Sequence, residues 1–418
     1  MISVHTCPLA RLGSRETGGM NVYVRELSRN LGRRGVGVDV FTRRQDEGVD
    51  RIVEFGEGAR VIHVDAGPAR SMDKYDVLQY LPQFLEGVRS FRRDADVDYQ
   101  VVHSHYWLSS PVATALSAEW HVPLVAMFHT LGKMKNRVSR ARSERENGER
   151  IEIERLTMLA GDRLIAASPS DRDQMVDFYG ALRSKIRVVP GGVDATSFRP
   201  FPSEVARAVL GLGPGKLVLF VGRIQRLKGI DLLLEAFARL VADGSGGEPL
   251  RLMLVGGRDL ADRSDPEAVE LARLRAVARH LGLDGLVSFQ GAVPHSMLPT
   301  YYSAADVVVV PSLYESFGLV ALEAMACGVP VVASRVGGLQ WTVQDGRSGF
   351  LVPRRDPELF ASAIRLILAD DALRSSMARE AVEIAASFSW DAVADRTLRI
   401  YGELVPMEAG CRAACGAA

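Results

Sequence analysis

The chain has 418 residues, too many for one hydrophobic core, and this predicts two domains or three. Lys plus Arg and Asp plus Glu both total 51, so no global field favours nucleic acid or an acidic polymer as a partner. Cys7, Cys327, Cys411 and Cys415 lack metal or CxxC spacing, no signal core flanks the opening ISVHT, and no stretch is apolar enough to span a membrane. A soluble cytoplasmic protein is the expectation.

Ile2–Thr6 reads as a buried strand, and a polar, glycine-containing loop, CPLARLGSRETGG, follows it. NVYVRELSRNLGRRG then takes a helical period, with Val24, Leu27 and Leu31 on one face and Gly35 as the stop. Strands are predicted over VGVDVFT, VVHSH (101–105), PLVAMFHT (123–130) and RLIAAS (163–168). IRVVPGGVDATSFRP (186–200) closes the series as a linker. A second series starts at KLVLFVGRI (216–224) and runs through the helix GIDLLLEAFARLVADG (229–244). The strands LRLMLVGG, LVSFQGAV, DVVVVPS and VPVVASRVGG continue it. A last helix is expected near 390–404, and the tail MEAGCRAACGAA is expected to be disordered. Two strand–helix series predict two parallel-sheet α/β domains, whose ligands bind at the C-terminal ends of the strands.

The loops after those strands carry the candidate chemistry. Thr17 to Asn21 form a TGGMN turn, where Gly19 lets the backbone approach a ligand and the helix start offers N–H groups to phosphate. It lacks the G-x-G-x-x-G spacing of a dinucleotide site. In VGRIQRLKG, Arg223 and Lys228 flank a short loop ahead of a helix, a pattern suited to a diphosphate. His129 ends an apolar strand; His103 and His105 alternate on another, a pair too small for a metal site. Glu315 and Glu323 sit in PSLYESFGLVALEAMACGVPVVAS, where a helix starting near Gly318 would offer N–H groups to phosphate and the carboxylates would take sugar hydroxyls. A glycosidase pair is the alternative use of two such glutamates. No G-x-S-x-G, H-E-x-x-H or P-loop occurs.

ESFGLVALEAMACGVPVVAS, with its E-x₇-E spacing, resembles the signature of retaining GT-B glycosyltransferases of family 4. The V-G-R-x-x-x-x-K-G loop, GGMNVYV, HSHYW and HTL agree, and the resemblance covers residues 1 to about 405. It implies two facing Rossmann-like domains, 1–195 for the acceptor and 205–385 for the nucleotide sugar, with 386–405 returning to the first. It implies a UDP-sugar donor, with Arg223 and Lys228 on the diphosphate, Glu323 on the ribose and Glu315 on the sugar. Gly19, Asn21, Phe317, Gly318, Leu319 and Val320 complete the donor set, and His129 approaches the reacting carbon. No protein nucleophile, metal or other cofactor is expected.

Within the family, AGPARSMDKYD, VVHSHYWLSS, HTLGKMKN and the NGER segment resemble the branch that transfers N-acetylglucosamine to 1D-myo-inositol 3-phosphate. Its acceptor-phosphate residues fall on Lys74, Tyr106, Thr130 and Arg150: two cations and two hydroxyls for one phosphate monoester. YLPQFLEGV and the H-T-L-G-x-x-K pattern resemble sucrose-phosphate synthases, whose donor is a glucosyl nucleotide and whose acceptor is fructose 6-phosphate. Lys133 has no assigned role. A nucleotide-sugar 2-epimerase is the alternative from another class, and it would act on the donor alone. Residues 133–150 carry seven cations against three glutamates and read as a solvated helix, with a membrane surface as the competing partner. A homodimer is compatible with all of these readings.

Overall fold

The computed structural model of the protein describes residues 1–10, 17–244, 249–257, 265–353 and 355–405. The expectation of a disordered tail lies outside the described residues.

The N-terminal lobe holds β1 (Val38–Arg43), β2 (Ile52–Gly56), β3 (Ala59–Val64), β4 (Val102–His105), β5 (Leu124–Met127), β6 (Arg163–Ala166) and β7 (Ile186–Val188). Strands β4 to β7 run parallel in sequence order, and β1 pairs with β3, which pairs with β2. Ile2–Thr6 is buried throughout, yet it makes only isolated bridges, from Ile2 to Phe41 and to Ser104, before turning. Backbone bonds from residues 1–4 to β1 and β4 thereby join the two sheets. The β2–β3 hairpin escapes the sequence reading because β2 is a short, solvated edge strand with no continuous apolar run. Likewise β7 lies inside the stretch read as linker.

The C-terminal lobe is one six-stranded parallel sheet: β8 (Lys216–Val221), β9 (Leu250–Val255), β10 (Val287–Gly291), β11 (Val307–Val310), β12 (Val331–Ser334) and β13 (Gly349–Val352). The spatial order is β10-β9-β8-β11-β12-β13. Strand β11 is Val-Val-Val-Val and wholly buried, as a strand covered by helices on both faces must be. The order reverses between β8 and β11, so the loops leaving these two strands diverge and open a crevice there. Those loops carry Arg223, Lys228 and Glu315.

The last helix, Trp390–Leu404, packs on the first, Gly19–Gly32, in the N-terminal lobe. Arg34 pairs with Asp395 at 2.6 Å, and the Tyr401 hydroxyl lies 2.7 Å from His103 Nδ1. Among the described residues no helix is long and apolar enough to cross a membrane.

Candidate active site

The acceptor-side residues gather around one guanidinium. Tyr106 and His129 close β4 and β5 with φ of 74° and 60°, a region side chains other than glycine rarely occupy. Such strain costs on the order of 1–3 kcal/mol and collects where function demands it. The helix Gly148–Ala160, capped by the Asn147 side chain, drives Arg150 beneath both corners. Arg150 Nη1 donates to the Tyr106 hydroxyl at 3.1 Å, and Nη2 to the Thr130 carbonyl and Oγ1 at 2.8 and 3.1 Å. Arg150 is completely buried, a state a cation tolerates only with partners. Glu154 supplies one at 2.8 Å and Glu146 another at 2.9 Å. Burial alone would lower its pKa; Tyr106, Glu154 and Glu146 reverse this and raise it. Lys74 opens a short helix capped by Asp73 and reaches the same Glu146 at 2.6 Å. All four acceptor candidates therefore belong to one network.

His129 heads a buried string. Its Nε2 lies 3.1 Å from His105 Nδ1, the His105 ring lies 4.2 Å from that of His103, and His103 meets Tyr401. Burial pushes His129 down to about 3, so the imidazole is neutral near pH 7. It can hydrogen-bond a sugar hydroxyl there but carries no charge. Among the described residues no three His, Cys, Asp or Glu side chains are grouped to hold a metal ion.

Across the crevice, Lys228 Nζ lies 2.6 Å from Glu315 Oε2. Gly318 takes φ 96° and starts the helix Leu319–Ala326, whose first turn has no side-chain cap and keeps N–H groups for an anion. Glu323, almost buried, receives the Tyr302 hydroxyl at 2.9 Å and meets His295 at 3.1 Å. Both carboxylates thus have protein partners, and a ligand would share them rather than rescue them. The lobes meet at these loops. A Cβ on Gly18 would lie 3.6 Å from Arg223 Nε, and one on Gly19 would lie 3.1 Å from Leu319 Cδ1. Leu131 N–H donates to the Tyr314 hydroxyl at 3.1 Å, tying the loop of His129 and Thr130 to the loop of Glu315.

Residues 17–197 match the model for Glycosyltransferase Family 4, and residues 203–383 match that for Glycosyl transferases group 1. A D-inositol 3-phosphate glycosyltransferase of Kineococcus radiotolerans is 42% identical over 426 residues, which cover 99% of this chain and 97% of the relative. The chain belongs to the family 4 glycosyltransferases. A sucrose-phosphate synthase of Thermosynechococcus elongatus superposes with a TM-score of 0.88 at 35% identity, over 96% of this chain and 98% of that one. Anabaena HepE, solved with UDP and glucose, shares the fold at a TM-score of 0.74 and 21% identity, covering 96% and 99% of the two chains. The family assignment displaces both the epimerase and the glycosidase alternatives.

Three donor-set candidates of this glycosyltransferase are engaged within the protein, and one reading, that of residues 133–150, needs correction. Asn21 lies within the first helix, and its amide is committed to Thr6 Oγ1, the Cys7 carbonyl and Gly18 N–H. It shapes the glycine turn from within. The Phe317 side chain is buried in the lobe contact, where a Cβ on Gly191 would lie 2.9 Å from it, so only its backbone is available to a ligand. Leu319 likewise packs toward Gly19 and Gly191. Residues 133–150 form no single solvated helix: the helix Gly132–Val138 ends before a turn, and Glu146 and Arg150 point inward. Lys133 acquires a role, donating to the Phe178 carbonyl over the Tyr179 ring. Further along, Arg140 pairs with Asp231 at 2.7 Å and Glu144 with Arg226 at 3.1 Å, both across the lobes.

The sequence reading missed Glu146, Glu154, Tyr302, His295 and Tyr314. Glu146, Arg150 and Glu154 recur at i, i+4, a spacing that does signal paired charges. Nothing local announces the others, whose partners come from distant segments.

Proposed function

We propose that the protein transfers a sugar, N-acetylglucosamine in the favoured reading, from a UDP-sugar to 1D-myo-inositol 3-phosphate with retention of configuration. The observation that carries this is Arg150 joining Tyr106 and Thr130 directly and Lys74 through Glu146, at the strand ends that bear His129. Two cations and two hydroxyls suit a phosphate monoester. The name borne by the Kineococcus relative supports the acceptor, and the UDP in HepE supports the donor.

In this reading Arg223, Lys228 and the helix start at Gly318 take the diphosphate and offset the charge that develops as it leaves. Glu323 takes the ribose hydroxyls and Glu315 those of the sugar. The bond from the anomeric carbon to the phosphate oxygen breaks, and the acceptor hydroxyl adds on the same face. Its proton passes to the departing phosphate oxygen, giving UDP and the glycoside. Neutral His129 would steady a sugar hydroxyl. The scheme uses no metal, because cationic side chains fill that office. Lobe contact through Tyr314 and Leu131 would exclude water and align the two substrates.

The second reading, transfer of glucose to fructose 6-phosphate, is favoured by the superposition on sucrose-phosphate synthase. One experiment separates them: UDP release from UDP-N-acetylglucosamine and UDP-glucose, each with inositol phosphate, fructose 6-phosphate and their unphosphorylated forms. Release confined to inositol phosphate supports the first reading. Release with fructose 6-phosphate alone overturns it.

A further inference from the structure

The acceptor-side network contains an anion of its own. Glu146 is almost fully buried, and Lys74 Nζ reaches its two oxygens at 2.8 and 2.6 Å. Arg150 Nη1 lies 2.9 Å from Oε1, the Tyr75 hydroxyl donates to Oε2 at 2.5 Å, and the Lys135 ammonium donates to Oε1. Its backbone is clamped too: Glu146 N–H donates to Asn136 Oδ1 at 2.7 Å, and Asn136 Nδ2 donates to the Glu146 carbonyl at 3.0 Å. A carboxylate has about four lone-pair sites, and these donors saturate it.

Glu154 is different in kind. It lies beneath Arg150, accepts Gly132 N–H and the Tyr179 hydroxyl, and meets no lysine. Glu154 holds the guanidinium in place, whereas Glu146 engages three cations at once: Lys74, Lys135 and Arg150. Two of these three are the acceptor-phosphate candidates. The third, Lys135, is a cation that the proposed acceptor site did not include.

We propose that Glu146 is a resident competitor for the acceptor's phosphate, and that a phosphate monoester binds by taking over Lys74, Lys135 and Arg150 from it. The inference rests on the functional reading only in naming the anion as the acceptor's. A phosphate monoester carries about −1.5 to −2 charge at neutral pH and three strong acceptor oxygens. It outbids a single carboxylate for three cations; a neutral polyol does not. Glu146 thereby keeps the cations from hydroxyls and other weak ligands, and the site discriminates phosphorylated from unphosphorylated acceptors through an internal rival. Lys135 becomes the third cation of the anion site, held ready by the competitor while the site is empty.

The test is calorimetric titration of the full chain with inorganic phosphate, with UDP titrated separately to report an intact donor lobe. Glu146→Gln removes the rival charge and is expected to tighten phosphate binding about tenfold or more, the scale of a charge-assisted hydrogen bond. Glu146→Asp keeps the charge on a shorter arm and is expected to tighten binding less. Lys135→Gln is expected to weaken it about tenfold. Phosphate affinity equal to or weaker than the parent's in Glu146→Gln, with UDP affinity retained, overturns the proposal, because the carboxylate then organises the site instead of competing for it. Should Glu146→Gln fail to fold, Glu146→Asp decides alone: tighter binding supports the proposal and weaker binding overturns it. The functional reading fails separately. Tighter phosphate binding in a chain that glycosylates no phosphorylated polyol upholds the competitor and sinks the acceptor, whereas transfer to inositol phosphate with an unresponsive phosphate affinity sinks the competitor alone.

Discussion

The two lobes present cations to anions in opposite ways. On the acceptor side Arg150 is completely buried, buttressed by Glu154 and Glu146, and committed before any ligand arrives. On the donor side the Lys228–Glu315 pair is about one-fifth exposed at both ends, and the loop of Arg223 lies against Gly18 of the opposite lobe. One site is built inside a domain and rigid; the other is completed at a contact between domains. Burial makes the Arg150–Glu154 pair costly to break, so exchange in the first site is confined to Glu146 and needs a strong anion, while the second can exchange a protein partner for a ligand at small cost. The same contrast extends to histidine. In the N-terminal lobe His5, His103 and His105 are buried, whereas His295 of the C-terminal lobe pairs with Glu323.

The largest effect that would sharpen this contrast is acid unfolding. Burial pushes His5 and His129 down to about 3 and holds His103 and His105 well below the usual imidazole range. Below pH 6.5 the unfolded chain takes protons that the fold refuses, so stability falls as pH falls, until His5 and His129 titrate near 3. Buried Asp171, pushed up to about 7, binds its proton in the fold and opposes one of the four. The net expectation is a loss of about 4 kcal/mol per pH unit below 6.5. Hydrogen exchange at pH 5 should therefore show β4 and β5 losing protection before β8 and β11. The reverse order would break the comparison.

Arg150→Ala comes next. It takes from buried Glu154 its cation and from Glu146 one of three, and should cost about 3–5 kcal/mol in denaturant unfolding. A loss below about 1 kcal/mol would show that the acceptor network is not the rigid member of the pair. Glu315→Gln should lower turnover about 10²- to 10³-fold with an unchanged melting temperature, because its ion pair is partly solvated. Near-normal turnover refutes the assigned role. For Lys74→Ala, acceptor KM should rise about 10- to 100-fold while UDP affinity holds; an unmoved KM removes Lys74 from the acceptor site. The smallest effect is expected from Tyr314→Phe, which deletes the bond from Leu131 across the lobes and should reduce kcat/KM by about tenfold or less. A lower kcat/KM with unchanged UDP affinity would locate the loss in lobe closure.

Much of the fold was legible because strand and helix periods are local. KLVLFV, LRLMLV and VVVV declare buried parallel strands by their continuous apolar runs, and they become β8, β9 and β11. The hairpin of β2 and β3 and the strand β13 stayed hidden, being short or half-solvated. At the site, the spacing of Glu315 and Glu323 and the cations of VGRIQRLKG could be read as residue types in order. Their partners could not: Tyr302 meets Glu323 from 21 positions away and Tyr314 meets Leu131 from 183.

The amino-acid order by itself determined the two α/β series, the family, and the residue types available at the strand ends, since each depends on neighbours within a few turns of chain. Only the tertiary structure decided which charges would be buried and what would face them. It turned Lys135 and Arg150, two of a run of seven cations, inward with Lys74 around Glu146, and it set the Asn21 amide against Thr6 Oγ1. It also threaded His129 to the last helix through His105 and His103. The reason is the price of desolvation: a buried charge or imidazole must find its partner in space, and that partner is chosen by how the sheets and helices pack.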